Sequence, residues 1–274
     1  MRLASVLLVA VLLTTCAISG TFAKYVTEAS ATDSARVAKF GVVVTASGYL
    51  FDDHDPITAT GTSVTVEAAN GIATDEGDRV LAPGTKHDAD DANCLTFSIT
   101  GTPEVDVQVA FSTNATTTDI FLPAYNSYVD YTTNPTGTFA VPEGGYYPVK
   151  FTLWRKNGNA SVYSEVDSVN LKDTTLKTIT DYLTSSDRAA EFRFDSNTNL
   201  ATAFGSYMIT WKWDFEDATR DWVDEADTFL GNHAADSTTF PMPAAVTEYV
   251  GQALVNLTLT VTQIDNPPAP APDP

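Results

Sequence analysis

Seven carboxylates fall within the run DFEDATRDWVDEAD, positions 214–227: Asp214, Glu216, Asp217, Asp221, Asp224, Glu225 and Asp227. Hard oxygen donors at this density can hold Ca²⁺, which takes about six to eight oxygens. Asp217, Asp221, Asp224 and Asp227 are the ligand candidates. The run departs from the EF-hand template, because it has no glycine at the turn position and no closing bidentate glutamate. Its plainer reading is a solvated loop leaving a strand. Two other acidic stretches, Phe51-Asp52-Asp53-His54-Asp55-Pro56 and His87-Asp88-Ala89-Asp90-Asp91, read as polar turns.

Catalytic chemistry has little to draw on. His54, His87 and His233 are far apart, and none stands in HExxH or another paired-ligand spacing. No GxSxG motif and no phosphate-cradling glycine loop occurs. Serines and threonines are plentiful but carry no positional signature of a nucleophile. The histidines read as loop or surface residues. The expectation is a protein that is not an enzyme, with no catalytic residue and no cofactor beyond a possible Ca²⁺.

Residues 1–23 read as a signal peptide, with Arg2 as the n-region charge, an apolar stretch from Leu3 to Ala17, and the small-residue exit Gly20-Thr21-Phe22-Ala23. The apolar stretch is short for a spanning helix. Cleavage between Ala23 and Lys24 takes 23 of 274 residues and leaves 251, enough for one sizeable all-β domain or two small ones. It also moves the formal charge from −20 to −21, since Arg2 is the leader's one charge. Such acidity repels nucleic acid and anionic lipid and keeps an exported protein soluble. Loss of Cys16 leaves Cys94 alone, which excludes an internal disulfide and suggests a buried thiol.

The chain is rich in Thr, Val, Ala, Tyr and Phe, with turn residues at short intervals. Apolar residues alternate through 105–111, 147–154 (YPVKFTLW), 207–215 (YMITWKWDF) and 254–264 (LVNLTLTVTQI), with shorter candidates at 37–45 and 63–66. Period-two runs with one polar face predict antiparallel sheets packed face to face. Within 171–194, Leu176, Ile179, Tyr182 and Leu183 follow helical spacing instead, with Asp173 as N-cap, so a helix is expected near 173–190. Gly101-Thr102-Pro103-Glu104, with Ala82-Pro83-Gly84-Thr85 upstream, reads as a hairpin reversing two strands. Residues 266–274, NPPAPAPDP, form an extended proline tail. The domain layout is then a leader (1–23), an extended segment (24–36), a β-sandwich (37–265) and the tail.

Several motifs in order resemble the TasA/camelysin family of exported biofilm-matrix fibre proteins. Gly20-Thr21-Phe22-Ala23-Lys24-Tyr25 is similar to the exit used by that family's dedicated signal peptidase, and residues 33–40 (DSARVAKF) resemble its first strand. Leu81-Ala82-Pro83-Gly84-Thr85 resembles its L-x-P-G-[DT] turn, and residues 97–111 the strand pair after it. Residues 209–213 (ITWKW) and 227–232 (DTFLGN) look like late motifs of bacterial relatives. The loop after the turn is longer here, with an acidic insert at 86–93, and residues 115–146 match nothing in the pattern.

The resemblance implies an antiparallel jelly-roll-like β-sandwich with an extended N-terminal donor strand. It implies subunits that self-associate into filaments by lending that strand to the next subunit, alone or with other matrix or anchoring subunits. Tyr25, Thr27, Ala29 and Ala31 share one face of such a strand and would enter the acceptor groove. Head-to-tail insertion does not close, so it makes filaments rather than rings. The implied location is the extracellular matrix or cell surface, with membrane contact during export only. Two other functions are carried: a monomeric Ca²⁺-dependent adhesion or glycan-binding module, with Tyr125, Tyr128, Tyr131, Tyr146 and Tyr147 as an aromatic platform, and a secreted metallopeptidase.

Overall fold

Alternating burial along the strands builds two sheets whose apolar faces meet. The computed structural model describes residues 38–51, 57–72, 81–89, 93–131, 137–166, 170–217 and 219–264. The leader, Ala23, Lys24, the donor positions Tyr25, Thr27, Ala29 and Ala31, and the tail 266–274 lie outside the described residues.

The elements in chain order are β1 (Val42–Gly48), β2 (Ile57–Gly61), β3 (Ser63–Gly71), β4 (Lys86–His87), β5 (Leu95–Gly101), β6 (Val107–Ser112), β7 (Tyr125–Asp130), β8 (Gly137–Val141), β9 (Val149–Lys156) and β10 (Ser164–Glu165). They continue with α1 (Leu176–Thr184), α2 (Ser186–Glu191), β11 (Arg193–Phe194), α3 (Leu200–Ala203), β12 (Ser206–Trp213), α4 (Trp222–Ala235) and β13 (Gln252–Gln263). A larger sheet runs β10-β9-β12-β5-β1-β2, with β4 also beside β12; a smaller one runs β11-β6-β13-β3; β7 and β8 form a separate hairpin. All pairings between these strands are antiparallel. The protein is therefore an all-β sandwich with small helices added.

Strand β13 shows how pattern becomes sheet. Leu257, Leu259 and Val261 point into the core opposite Val66, Val64 and Val109. The intervening threonines form an outer ladder, Thr258 to Thr65 at 2.8 Å and Thr260 to Ser63 at 2.7 Å. Strand β12 differs from its expected alternation. It is buried at Ser206 to Trp211 and again at Trp213, because it lies mid-sheet and is covered on both faces.

Three expectations need correction. The stretch 101–104 is not a hairpin between paired strands: β5 lies in the larger sheet and β6 in the smaller, so the turn carries the chain across the sandwich. Gly101 permits this at φ +122, where a Cβ would sit 2.2 Å from the Gly41 carbonyl oxygen. The first strand begins at Val42, and residues 38–40 before it carry no strand. Asp173 does not cap the helix; it adopts φ +50, and Thr175 is the N-cap, accepting from Thr178 N at 3.1 Å.

The helical insert is two short helices broken at Ser185, which caps the second. As the spacing predicts, α1 buries Leu176, Ile179 and Leu183. Its first turn is held by a distant residue: Asp119 accepts from Leu176 N at 2.6 Å and from Lys177 N at 3.0 Å. Burial nevertheless raises the Asp119 pKa against those two bonds. The insert also covers one side of the sandwich. The outer edge of β9 bonds to residues 166, 171 and 174, and that of β6 to Phe192 and β11.

Asp119→Ala strips both N–H groups of their acceptor. Urea denaturation should show a loss of about 1–3 kcal/mol, while Asp119→Asn should recover part of it.

Candidate functional site

The acidic run and the Leu81-Ala82-Pro83-Gly84-Thr85 turn meet at the end of β12. Trp213 donates to Thr85 O and accepts from Gly84 N, each at 2.8 Å. Thr85 closes the turn by accepting from Ala82 N at 3.1 Å. Gly84 is at φ +83, and a Cβ there would come within 3.3 Å of the Phe215 ring. The turn therefore needs glycine both for its backbone and to seat Phe215, which is 69 % exposed.

The acidic run is not a loop throughout, which corrects the expectation for 214–227. Its second half opens helix α4. Val223, Ala226, Phe229 and Leu230 bury one stripe of that helix, a spacing visible in the sequence beneath the density of acids. Asp224 and Glu225 fall in the first turn, where the helix dipole favours negative charge.

The four calcium candidates do different things. Asp217 is committed to its own neighbours, accepting from Thr219 N at 2.9 Å, Thr219 Oγ1 at 2.6 Å and Arg220 Nε at 2.6 Å. Those bonds hold its pKa at about 2. Asp221 sits at the N-cap of α4 without a capping bond. Asp224 faces a cavity, and Asp227 is 5 % exposed. Among the described residues no three or more His, Cys, Asp or Glu side chains converge as a metal set.

Asp227 is the unusual group. Its Oδ1 accepts from the Tyr146 hydroxyl at 2.7 Å. Its Oδ2 is buried with no hydrogen-bond partner. The Trp213 indole Nε1 faces the same carboxyl without reaching bonding geometry. The charged neighbours are Asp224 and Arg220, the latter stacked 5.5 Å above the Trp222 ring and paired with Asp217 at 2.5 Å. Burial pushes the Asp227 pKa up to about 7, and burial together with this carboxylate raises Tyr146 as well.

Two hollows flank the pair. One, of about 420 Å³, is lined by Pro83, Phe215, Asp224, Asp227, Thr228 and Asn232 with Gly231. The other, of about 190 Å³, includes Tyr146, Lys150, Asp214 and Arg220. Desolvation and then Arg220 lower the Lys150 pKa. Lys212 pairs with Asp173 at 3.1 Å and Asp214 at 3.4 Å.

His54 lies outside the described residues, and the other candidates are packed. His87 is buried rather than in a surface loop: it stacks on Tyr49 at 4.6 Å and lies 3.4 Å from Cys94 Sγ, because β4 places it against β12. Cys94 is buried. His233, on α4, meets Phe240 O at 2.8 Å and stacks on Phe229. The five tyrosines form no common platform. Tyr128 and Tyr146 are buried, Tyr125 and Tyr131 pack in the cluster around Tyr128 and Phe229, and Tyr147 pairs with Phe121 at 4.7 Å.

The second notable surface is the side of the sandwich away from the helical insert. β2 ends the larger sheet and β3 ends the smaller, joined through Thr62. Among the described residues neither has a strand on its outer edge. Ile57, Ala59 and Ala68 are half-buried there against the core. No helix among the described residues is long and apolar enough to cross a membrane. No protein-family model, curated protein or solved structure matches the chain.

A carboxyl whose folded pKa lies above its unfolded value of 3.8 contributes stability below that value and loses it as pH rises through about 7. Asp227, facing Tyr146, Asp224, Arg220 and the Trp213 indole, should cost on the order of 3–4 kcal/mol across that window. Thermal melts from pH 4 to 8 should show this decline in the native protein and a flatter profile in Asp227→Asn.

Proposed function

We propose that the protein is a structural subunit of an extracellular fibre or biofilm matrix, assembled head-to-tail by donor-strand complementation. The observation that carries this reading is the bare side of the sandwich. Among the described residues two sheet edges, β2 and β3, have no strand beside them, while the β9 and β6 edges are covered. An open edge is an aggregation hazard unless something pairs with it. An extended segment can supply those main-chain bonds and place alternate side chains on the core. Half-buried Ile57, Ala59 and Ala68 leave room for small side chains such as Thr27, Ala29 and Ala31. The resemblance to the TasA/camelysin family points to residues 24–33 as that segment and to export before assembly. Non-enzymatic function, secretion and self-association belong to the same reading.

A second reading, a monomeric ligand-binding module, is favoured by the cavity beside Asp227.

Negative-stain electron microscopy should show filaments from the chain beginning at Lys24 and monomers from a chain lacking residues 24–33. Ala59→Lys and Ala68→Lys place charge at the open edge and should raise the concentration needed for filaments at least ~tenfold. Filaments that persist in the shortened chain would rule out this donor. Monomers from every form, across salt, pH and Ca²⁺, would favour the binding module.

A further inference from the structure

We propose that the protein carries N-linked glycans on Asn114 and Asn159. The acceptor for such a sugar is Asn-X-Ser/Thr with X other than proline. Three triplets meet that rule, Asn114-Ala115-Thr116, Asn159-Ala160-Ser161 and Asn256-Leu257-Thr258, whereas Asn134-Pro135-Thr136 has the excluded proline. The inference rests on the export proposed above, since this modification belongs to surface loops of secreted proteins.

The fold separates the three triplets. Every residue of the first two is exposed. Asn114 lies in a bend directly after β6, where the Thr113 hydroxyl turns the chain by donating to Ala115 O at 2.5 Å. Asn159 lies in the turn between β9 and β10, which Ala160 N closes on Asn157 O at 2.7 Å. Surface turns can enter a transferase cleft without breaking a strand pairing. Asn256 is the opposite case. It sits within β13 opposite Glu67 of β3, is 4 % exposed, and donates its amide to Glu67 Oε1. Modification after folding would require β13 to leave β3. Modification before folding would place a bulky, hydrated group at a closed position.

The co-reactant is a polyprenyl-phosphate-linked oligosaccharide. The asparagine Nδ2 bonds to the anomeric carbon, the bond from that carbon to the phosphate oxygen breaks, and the lipid phosphate leaves with the electron pair. The amide gives up one proton to a base of the transferase. The Ser or Thr hydroxyl two residues on serves recognition and is unchanged.

The test is peptide mass spectrometry of the protein recovered from the cells that make it and from their medium, with the N-terminus read in the same digest. Peptides covering Asn114 and Asn159 should carry added mass that releases sugar ions on fragmentation, and the peptide covering Asn256 should not. Asn114→Gln and Asn159→Gln should each remove one sugar increment from the intact mass. Thr116→Ala and Ser161→Ala should do the same with the asparagines in place. All four residues are exposed, so these variants leave the core intact. A chain that begins near Lys24 and bears no sugar at either position would overturn the proposal while leaving export standing. A chain that keeps residues 1–23 and bears no sugar would overturn both. Sugar at one position alone would overturn the other assignment. Sugar at Asn256, or sugar that survives Thr116→Ala and Ser161→Ala, would also overturn the proposal.

Discussion

Strand β12 carries hydrogen bonds along both edges, and most of the remaining structure is referenced to it. Its whole length from Ser206 to Trp213 pairs with β9, while β5 and β4 share the opposite edge. Burial on both faces requires apolar residues at consecutive positions, and Tyr207, Met208, Ile209 and Trp211 meet that requirement. Two of the polar atoms that remain are matched, Thr210 Oγ1 accepting from Trp154 Nε1 at 2.7 Å and Trp211 Nε1 donating to Leu50 O at 2.6 Å, whereas Trp213 Nε1 is buried without a hydrogen bond. The Ala82–Thr85 turn is hydrogen-bonded to the last residue of β12. The cavity beside Asp227 is positioned by that attachment and by the entry into α4.

The sandwich is finished unequally on its two sides. One is closed by the helical insert, whose flanking segments take up main-chain groups of β9 and β6. The other ends in β2 and β3 with small or half-buried side chains at its mouth. Leaving sheet edges unpaired is costly as a general strategy, because such edges recruit other strands. Among the described residues one side is covered and the other ends in strands with no neighbour.

Two buried aspartates show how differently a fold can treat the same group. Asp119 accepts two backbone N–H groups at a helix start, and its burial has a structural return in the order of α1. Asp227 receives one hydroxyl and leaves an oxygen unmatched beside a cavity. Both pKa values rise through desolvation, but only Asp227 has a buried carboxylate oxygen without a hydrogen bond. In a protein of formal charge −20, an acid removed from water rather than left on the surface needs a local reason.

The sequence by itself determined the fold class, because period-two alternation in β6, β9 and β13 and helical spacing in α1 reflect local geometry that tertiary structure did not override. Other features depended on partners remote in the chain. Asp119 caps a helix more than fifty residues away. Gly101 crosses between sheets rather than closing a hairpin, and His87 is buried because β4 happens to align with β12. The helix inside the acidic run was legible from Val223, Ala226, Phe229 and Leu230, yet its carboxylates masked that stripe. Which of those carboxylates would be bonded, solvated or buried could only be decided in three dimensions, since burial and pairing are properties of what packs against a residue, not of its neighbours in sequence.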